Sequence, residues 1–311
     1  MSGPSSRVVV VGSSNTDMTV RVPSLPGPGE TVLGGDFAVT AGGKGANQAV
    51  ASRRAGAEVV FVTAVGDDDL GRRALDGYRR EGIDVSHARI VPGVASGVAL
   101  IFVSEGGENQ IGVASGANLE LSPSDIDGLP DSIFRPGEIL LVGLEIPIPT
   151  AIRALRRGRK AGMTVILNPA PAPSLTEAEV RHLLGEADLI TPNRVEALML
   201  AGTRPGERPE PKSLALRLLS MGPRTVVMTL GAEGCLVADG REAVAVPAPR
   251  VEAVDAVGAG DAFNGILAAG LAEGLALPDA VRRAVRGAAL AVTRPGAQPA
   301  LPTRAEIDAF Q

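Results

Sequence analysis

Short β-branched runs and longer amphipathic stretches take turns along the chain. Residues 8–11, 59–65, 139–142, 164–167, 189–191 and 225–230 are almost continuously apolar and rich in Val, Ile and Leu. Runs of this kind predict strands buried on both faces. Between most of them the apolar positions recur at helical spacing, over 46–55, 71–80, 150–161, 177–184 and 213–220. The C-terminal third adds two more such helices, 261–273 and 278–293. Strand and helix in alternation predict an α/β fold, a three-layer α/β/α arrangement with a parallel sheet covered by helices on both faces.

Two segments break the alternation. Predicted strands at 18–22 and 31–39 are joined by Pro23-Ser24-Leu25-Pro26-Gly27-Pro28-Gly29, and 97–104 with 109–114 read as a hairpin around Glu105-Gly106-Gly107-Glu108. They build a small second sheet in two inserted pieces, about 16–41 and 95–115, or else they extend the main sheet at one edge. The Pro-rich piece 203–212 is a surface loop. No internal repeat divides the chain, so residues 1–311 are expected to form a single domain.

Composition narrows the function. The chain has 311 residues, 45% of them hydrophobic, enough for one large core. A net charge of -5 without any basic block argues against a nucleic-acid partner. Cys235 is the single cysteine, which rules out an intrachain disulfide and fits a reducing cytoplasm; it reads as a small buried residue. Residues 1–6 lack the apolar region of a signal peptide, and runs such as 138–143 are too short to span a bilayer. Lysine occurs only at Lys44, Lys160 and Lys212 in an arginine-rich chain, which draws attention to Lys44 between its glycines.

The chemistry concentrates in Val254-Asp255-Ala256-Val257-Gly258-Ala259-Gly260-Asp261-Ala262-Phe263-Asn264-Gly265. Gly258 and Gly260 allow a tight backbone turn, and a helix beginning near Asp261 offers unpaired N–H groups to an anion. A carboxylate beside an anion hole is suited to take a proton from a hydroxyl attacking a bound phosphoryl group; the alternative is that Asp261 only caps its helix. A dinucleotide fingerprint is excluded, because its third glycine would fall at Phe263.

Further candidates lie near strand ends. Asn15 and Asp17 follow the first strand, where they either contact a ligand or form a turn. Gly42-Gly43-Lys44-Gly45-Ala46-Asn47-Gln48 leads into a helix; Gly45 after Lys44 excludes a Walker A loop. Glu145 follows the strand at 139–142. Asn193 and Glu196 have capping-box spacing, or else they order water on Mg²⁺. Thr229-Leu230-Gly231-Ala232-Glu233-Gly234 is either a nucleotide-admitting turn or a plain hairpin. His87 and His182, the only histidines, sit in ordinary segments and support neither a metal cluster nor a Ser-His-Asp triad.

Together these segments resemble the ribokinase (PfkB-type) sugar kinases. The match runs from Val8 to Phe310 and includes Gly12–Asp17, Pro28–Thr31, Gly42–Val50, Gly66–Asp68, Leu167–Ala172, Thr191–Glu196, Thr229–Gly234, Asp255–Gly265 and Ala291–Pro299. The resemblance implies a Rossmann-like three-layer α/β/α domain whose second sheet is a lid, often a homodimer interface, and that ATP phosphorylates D-ribose at O5. It implies Asp261 as the base, with Gly258, Ala259 and Gly260 forming the anion hole. Sugar would meet Asn15, Asp17, Gly42, Gly43, Lys44, Asn47 and Glu145. ATP would meet Asn193, Thr229, Gly231, Ala232, Glu233, Gly234 and Gly260, with Asn193 and Glu196 organising Mg²⁺ through water. A monovalent cation, usually K⁺, would lie near Asp255, Val257, Ala291, Arg294, Gly296 and Ala300. Two departures stand out. Ala300 replaces a frequent serine of the cation shell, and Val285 and Arg286 replace the Asn or His often found near adenine. The alternatives are a kinase of this fold for fructose, deoxyribose, adenosine or pseudouridine, or a sugar-binding regulator without catalysis. The low aromatic content, 2%, and the polar Asn15, Asp17, Asn47 and Glu145 set favour a small polyhydroxylated ring.

Overall fold

The main sheet has eight strands, in the spatial order Ala243–Val246, Cys235–Asp239, Thr225–Thr229, Leu189–Ile190, Thr164–Asn168, Ile139–Gly143, Arg7–Val11 and Glu58–Val62. The structure, a computed structural model, describes residues 7–204 and 206–310. The six strands from Thr225–Thr229 to Glu58–Val62 run parallel, and the last two of the chain add an antiparallel edge. The continuous apolar runs are explained by two cores. Val9, Val11, Leu140, Val142, Val165 and Leu167 point into one, while Val8, Val10, Ile139, Leu141 and Ile166 point into the other. Successive side chains of a strand face opposite ways, so a strand covered by helices on both sides is apolar throughout. Cys235 lies in the second core, and burial pushes its thiol up to about 12.

The inserted segments form a separate four-stranded sheet, ordered Phe37–Gly42, Asn15–Val22, Gly97–Ser104, Asn109–Ala114. This decides for a second sheet rather than an extension of the main one. Two expectations need correction here. The strand expected at 31–39 begins only at Phe37. The Arg21 carbonyl accepts from Gly35 N at 3.1 Å and crowds Gly34, where an added β-carbon would lie 2.5 Å from it. Asn15 and Asp17 are not turn residues after the first strand but the opening residues of the lid strand. The run 59–65 also divides: Ala64–Gly66 leaves the main sheet and pairs with Arg89–Val91.

Lid register sorts its residues by face. Asp17 aligns with Thr40, Ala99 and Val113, whereas Met18 aligns with Val39 and Leu100, and Val20 with Phe37 and Phe102. The second face is apolar, with Phe37, Val39 and Leu100 48–62% exposed.

Two helices, Lys44–Arg54 and Ala259–Ala272, set the position of the site. They touch at Gly265, where an added β-carbon would sit 2.5 Å from Ala51 Cβ and from Gln48 O. Ser52 Oγ donates to Gly265 O at 3.1 Å. Only glycine permits this approach, which brings Asn47 and Gln48 beside Asp261.

Candidate active site

The Gly42–Gln48 turn presses a helix N-terminus against the end of the strand Arg7–Val11. Gly43 has φ 87°, and a β-carbon there would lie 2.7 Å from Asn15 N; one on Gly45 would lie 2.5 Å from Ser13 N. Ala46 N donates to Ser13 O at 2.9 Å. Glu145, just past the strand Ile139–Gly143, reaches this junction. Its Oε2 accepts from Ser13 Oγ at 2.5 Å and from Lys44 N at 3.0 Å. A carboxylate at a helix N-terminus is favourably placed against the helix dipole.

Asp261 is 6% exposed and held by two amides. Asn47 Nδ2 donates to its Oδ2 at 2.9 Å, and Gln48 Nε2 donates to its Oδ1 at 3.1 Å. Burial raises the Asp261 pKa; Lys44, Asn47 and Gln48 oppose that shift, and Glu145 adds to it. Asp17 is pushed up to about 6, first by burial and then by the negative charges of Glu145 and Asp261. Lys44 is the counter-charge. Burial works against its ammonium, but Asp261, Glu145 and Glu196 outweigh it and raise its pKa. The arrangement is therefore a buried cluster of carboxylates around one cation, the kind of perturbed set found at functional sites. Asn47 Oδ1 is a buried acceptor without a protein partner. Asn15 Oδ1 accepts from Asn118 Nδ2 at 2.7 Å, which leaves the Asn15 amide nitrogen for a ligand.

The anion-hole segment has a small correction in its boundary: the helix begins at Ala259, not near Asp261. Gly258 is its N-cap in the left-handed region, φ 76°, and a β-carbon there would lie 3.1 Å from Ala297 Cα. Asp261 makes no cap bond, which removes the reading of Asp261 as a mere cap. An added β-carbon on Gly260 would meet nothing within 4 Å, so there is open space beside this first turn, while Ala259 N donates to Ala256 O at 3.3 Å.

The cation positions gather behind that turn. Asp255 Oδ1 accepts from Val257 N at 2.9 Å, and its Oδ2 accepts from Gly296 N at 2.8 Å. Both Val254 N and Asp255 N donate to Val292 O. Ala291 O accepts from Arg294 N, and the Arg294 guanidinium pairs with Glu306. Ala300 is buried. These bonds tie the 255–257 segment to the 292–296 segment, with both Asp255 oxygens and the Val292 carbonyl accepting backbone N–H groups.

On the far side, Asn193 and Glu196 form the capping box: Asn193 Oδ1 accepts from Glu196 N at 2.9 Å, and Glu196 Oε2 accepts from Asn193 N at 2.8 Å. The Glu196 carboxyl still belongs to the charged centre. Burial raises its pKa, Asn193 N and Lys44 lower it, and Asp261 raises it. Thr229 adjoins Asn193, with Thr229 N donating to Pro192 O at 3.0 Å. Residues 229–234 do close a hairpin, through one turn at Gly231–Glu233 that is fully exposed. An added β-carbon on Gly234 would collide with Val246 O, whereas on Gly231 it would meet nothing. Val285 packs in the second core, and Arg286 Nε is buried without a partner. Among the described residues no group of three His, Cys, Asp or Glu is placed to hold a metal alone.

Several residues here escaped the sequence reading: Ser13, Gln48, Asn118, Asn168, Thr191 and Asn264. Their signal was an uncharged polar residue within an apolar stretch, visible at Gln48 and Asn264. A hollow lined by Asp127, Asp131, Phe134, Arg153 and Arg157 lies outside this cluster. Its arginines are engaged by Asp127 and Asp131, and Arg157 stacks over Phe134 at 4.5 Å.

A family model described as pfkB family carbohydrate kinase matches residues 5–304. The chain belongs to the pfkB family of carbohydrate kinases. It is 38% identical to a ribokinase of Haemophilus influenzae over 303 residues, covering 97% of each chain. It is 34% identical to a deoxyribokinase of Salmonella typhi, covering 97% of this chain and 98% of that one. A solved Arabidopsis thaliana ribokinase complexed with ribose and ATP superposes with a TM-score of 0.86 at 28% identity, covering 99% and 98% of the two chains. This pfkB kinase is an ATP-dependent sugar phosphotransferase.

Proposed function

We propose that the protein is a ribokinase, transferring the γ-phosphoryl group of ATP to O5 of D-ribose. The observation that carries this is Asp261, fixed by Asn47 and Gln48 at the first turn of a helix and surrounded by Asp17, Lys44 and Glu145. The sugar O5–H attacks the γ-phosphorus in line, the bond to the β,γ-bridging oxygen breaks, ADP leaves, and the proton passes to Asp261. The raised Asp261 pKa brings that acceptor nearer the operating pH. Backbone N–H groups of Gly258, Ala259, Gly260 and Asp261 stabilise charge on the transferred group. Asp17 and Asn47 Oδ1 accept from ring hydroxyls, the Asn15 amide donates, and Gly42 and Gly43 let the sugar approach the backbone. Lys44 and Glu145 complete the polar wall.

ATP lies along Asn193, Thr229 and Gly231–Gly234, with Gly260 at its phosphates. Mg²⁺, when bound, would neutralise phosphate charge; Asn193 and Glu196 would hold its water shell, a role supported by the charge coupling of Glu196 to Lys44 and Asp261. Asp255, Gly296 and the carbonyls of Val257, Ala291, Arg294 and Ala300 would hold K⁺, which would order the loop that carries Gly258; the Asp255 bonds to Val257 and Gly296 support this by tying the two segments together. The whole chain acts as one domain, in the cytoplasm, with no nucleic-acid or membrane partner; no helix among the described residues is long and apolar enough to cross a membrane. It forms a homodimer through the lid, which the exposed apolar face of Phe37, Val39 and Leu100 supports.

A second reading, deoxyribose as the preferred substrate, is favoured by the deoxyribokinase relative. ADP release measured with ribose, deoxyribose, fructose, adenosine and pseudouridine, with and without K⁺, decides. Ribose is expected to give the highest kcat/KM, and to gain from K⁺. Equal or better turnover on another substrate overturns the assignment.

A further inference from the structure

Behind the Asp261 carboxylate lies a second set of buried polar groups that no sugar or nucleotide contact explains. Gln48 Nε2 donates to Asp261 Oδ1 at 3.1 Å and to Asn168 Oδ1 at 2.9 Å. Asn168 Nδ2 donates to Thr191 O at 3.1 Å. Thr191 Oγ1 donates to Asn264 Oδ1 at 2.5 Å, and Asn264 Nδ2 donates to Gly260 O at 2.8 Å. Gly260 precedes Asp261, so the chain of bonds closes into a ring. It joins the helix Lys44–Arg54, the ends of the strands Thr164–Asn168 and Leu189–Ile190, and the first turn of the helix Ala259–Ala272.

Gln48, Asn168, Thr191 and Asn264 are 0, 4, 2 and 2% exposed. Burying four such groups costs free energy that apolar side chains of the same size would not. Gln48 Oε1 is left without a partner, but the bonds that are made run in sequence and fix direction, which packing alone does not. Here the direction is that of one carboxylate: Asn47 holds one oxygen and Gln48 the other, so its rotation is set at both ends.

We propose that Gln48, Asn168, Thr191 and Asn264 are positioning residues for Asp261, locking its carboxylate relative to the first turn of its own helix, with Gln48 the member that reaches it. The inference rests on Asp261 being the base. Gln48 donation also favours the charged carboxylate, against the burial that opposes it. The other charged groups facing this centre are Lys44, Glu145, Asp17 and Glu196.

The test compares Gln48→Met, which keeps size and loses the donor, with Thr191→Val and Thr191→Ser. In Gln48→Met, kcat on ribose is expected to fall about 10–100-fold with KM changed less than about 3-fold, since positioning acts mainly in the transition state. The Asp261 carboxyl, titrated by ¹³C NMR without ligands, shifts to higher pH by roughly one unit, as does the acidic limb of the kcat/KM profile. Thr191→Ser keeps the hydroxyl and the rate; Thr191→Val loses both, and this pair decides if Gln48→Met fails to fold. A wild-type kcat and an unmoved Asp261 titration in Gln48→Met overturn the proposal, as does equal activity of the two Thr191 variants. Asp261→Asn separates the two levels: full activity there sinks the base itself, whereas an inactive Asp261→Asn beside an unaffected Gln48→Met sinks only the ring.

Discussion

The half of the site proposed to face the sugar and the half proposed to face the nucleotide are built in opposite ways. Asp261, Asn47 and Gln48 are buried; the two side-chain amides, from a neighbouring helix, hold the Asp261 carboxylate, whose pKa is raised. Gly231, Ala232 and Glu233 are exposed, made of backbone in a single turn, and anchored to Asn193 through one short strand contact. The difference follows from what each half must do. A base needs one orientation and a tuned proton affinity, which only a packed environment supplies. A nucleotide turn needs backbone approach, which glycine at φ 62° supplies without a packed surround. Buried construction makes the first half sensitive to single atoms and the second tolerant of them.

The largest expected effect on stability is on the buried side. Gly265→Val forces a side chain into Ala51 Cβ and Gln48 O, and should cost about 3 kcal/mol in denaturant unfolding. The same push on Gln48 should lower kcat. An unchanged unfolding free energy would show that the helices are free to separate, and the contrast between the halves would fail.

Asp17 sharpens the comparison with a pH dependence. Its folded pKa of about 6 lies above 3.8, so folding disfavours its ionised form. Stability is therefore highest below about pH 4 with respect to this group, falls as pH rises through about 6, and is level above that. Asp17→Asn removes the cost: the ligand-free variant should be about 2 kcal/mol more stable than wild type at pH 8 and nearly equal at pH 4. Ribose affinity should fall at the same time, the exchange of stability for function expected of a binding carboxylate. Urea titrations at the two pH values check the first statement, and calorimetric ribose binding the second.

The smallest effect belongs to the open side. Asn193→Ala removes a helix cap and should cost about 1 kcal/mol, with KM for ATP rising more than KM for ribose. Equal rises in both would place Asn193 with the sugar half.

This contrast also explains what was legible in the sequence. Strands such as Arg7–Val11 and Ile139–Gly143 announce themselves because burial on both faces removes every polar residue. Asn15, Asp17, Lys44, Asn47 and Glu145 stood out as polar residues near glycines and strand ends, and the fold does bring their segments together. Their roles came from family resemblance, since spacing alone favoured a turn at Asn15 and left a cap at Asn193 and a plain hairpin at Gly231 as equal readings. Gln48, Asn168, Thr191 and Asn264 were missed because a closed hydrogen-bond ring joins residues 4 to 213 positions apart and has no periodicity to read. The strand expected at 31–39 failed for a local reason, the Gly34-Gly35 pair held against the Arg21 carbonyl.

The claim that Asp261 is the proton acceptor is tested most directly by ADP release from ribose and ATP in Asp261→Asn, with ribose binding measured calorimetrically on the same protein. The variant keeps the shape of the carboxylate and removes its ability to take a proton. Loss of about 10³-fold or more in kcat, with ribose affinity within about 3-fold of wild type, is the predicted result. A kcat near the wild-type value would contradict it.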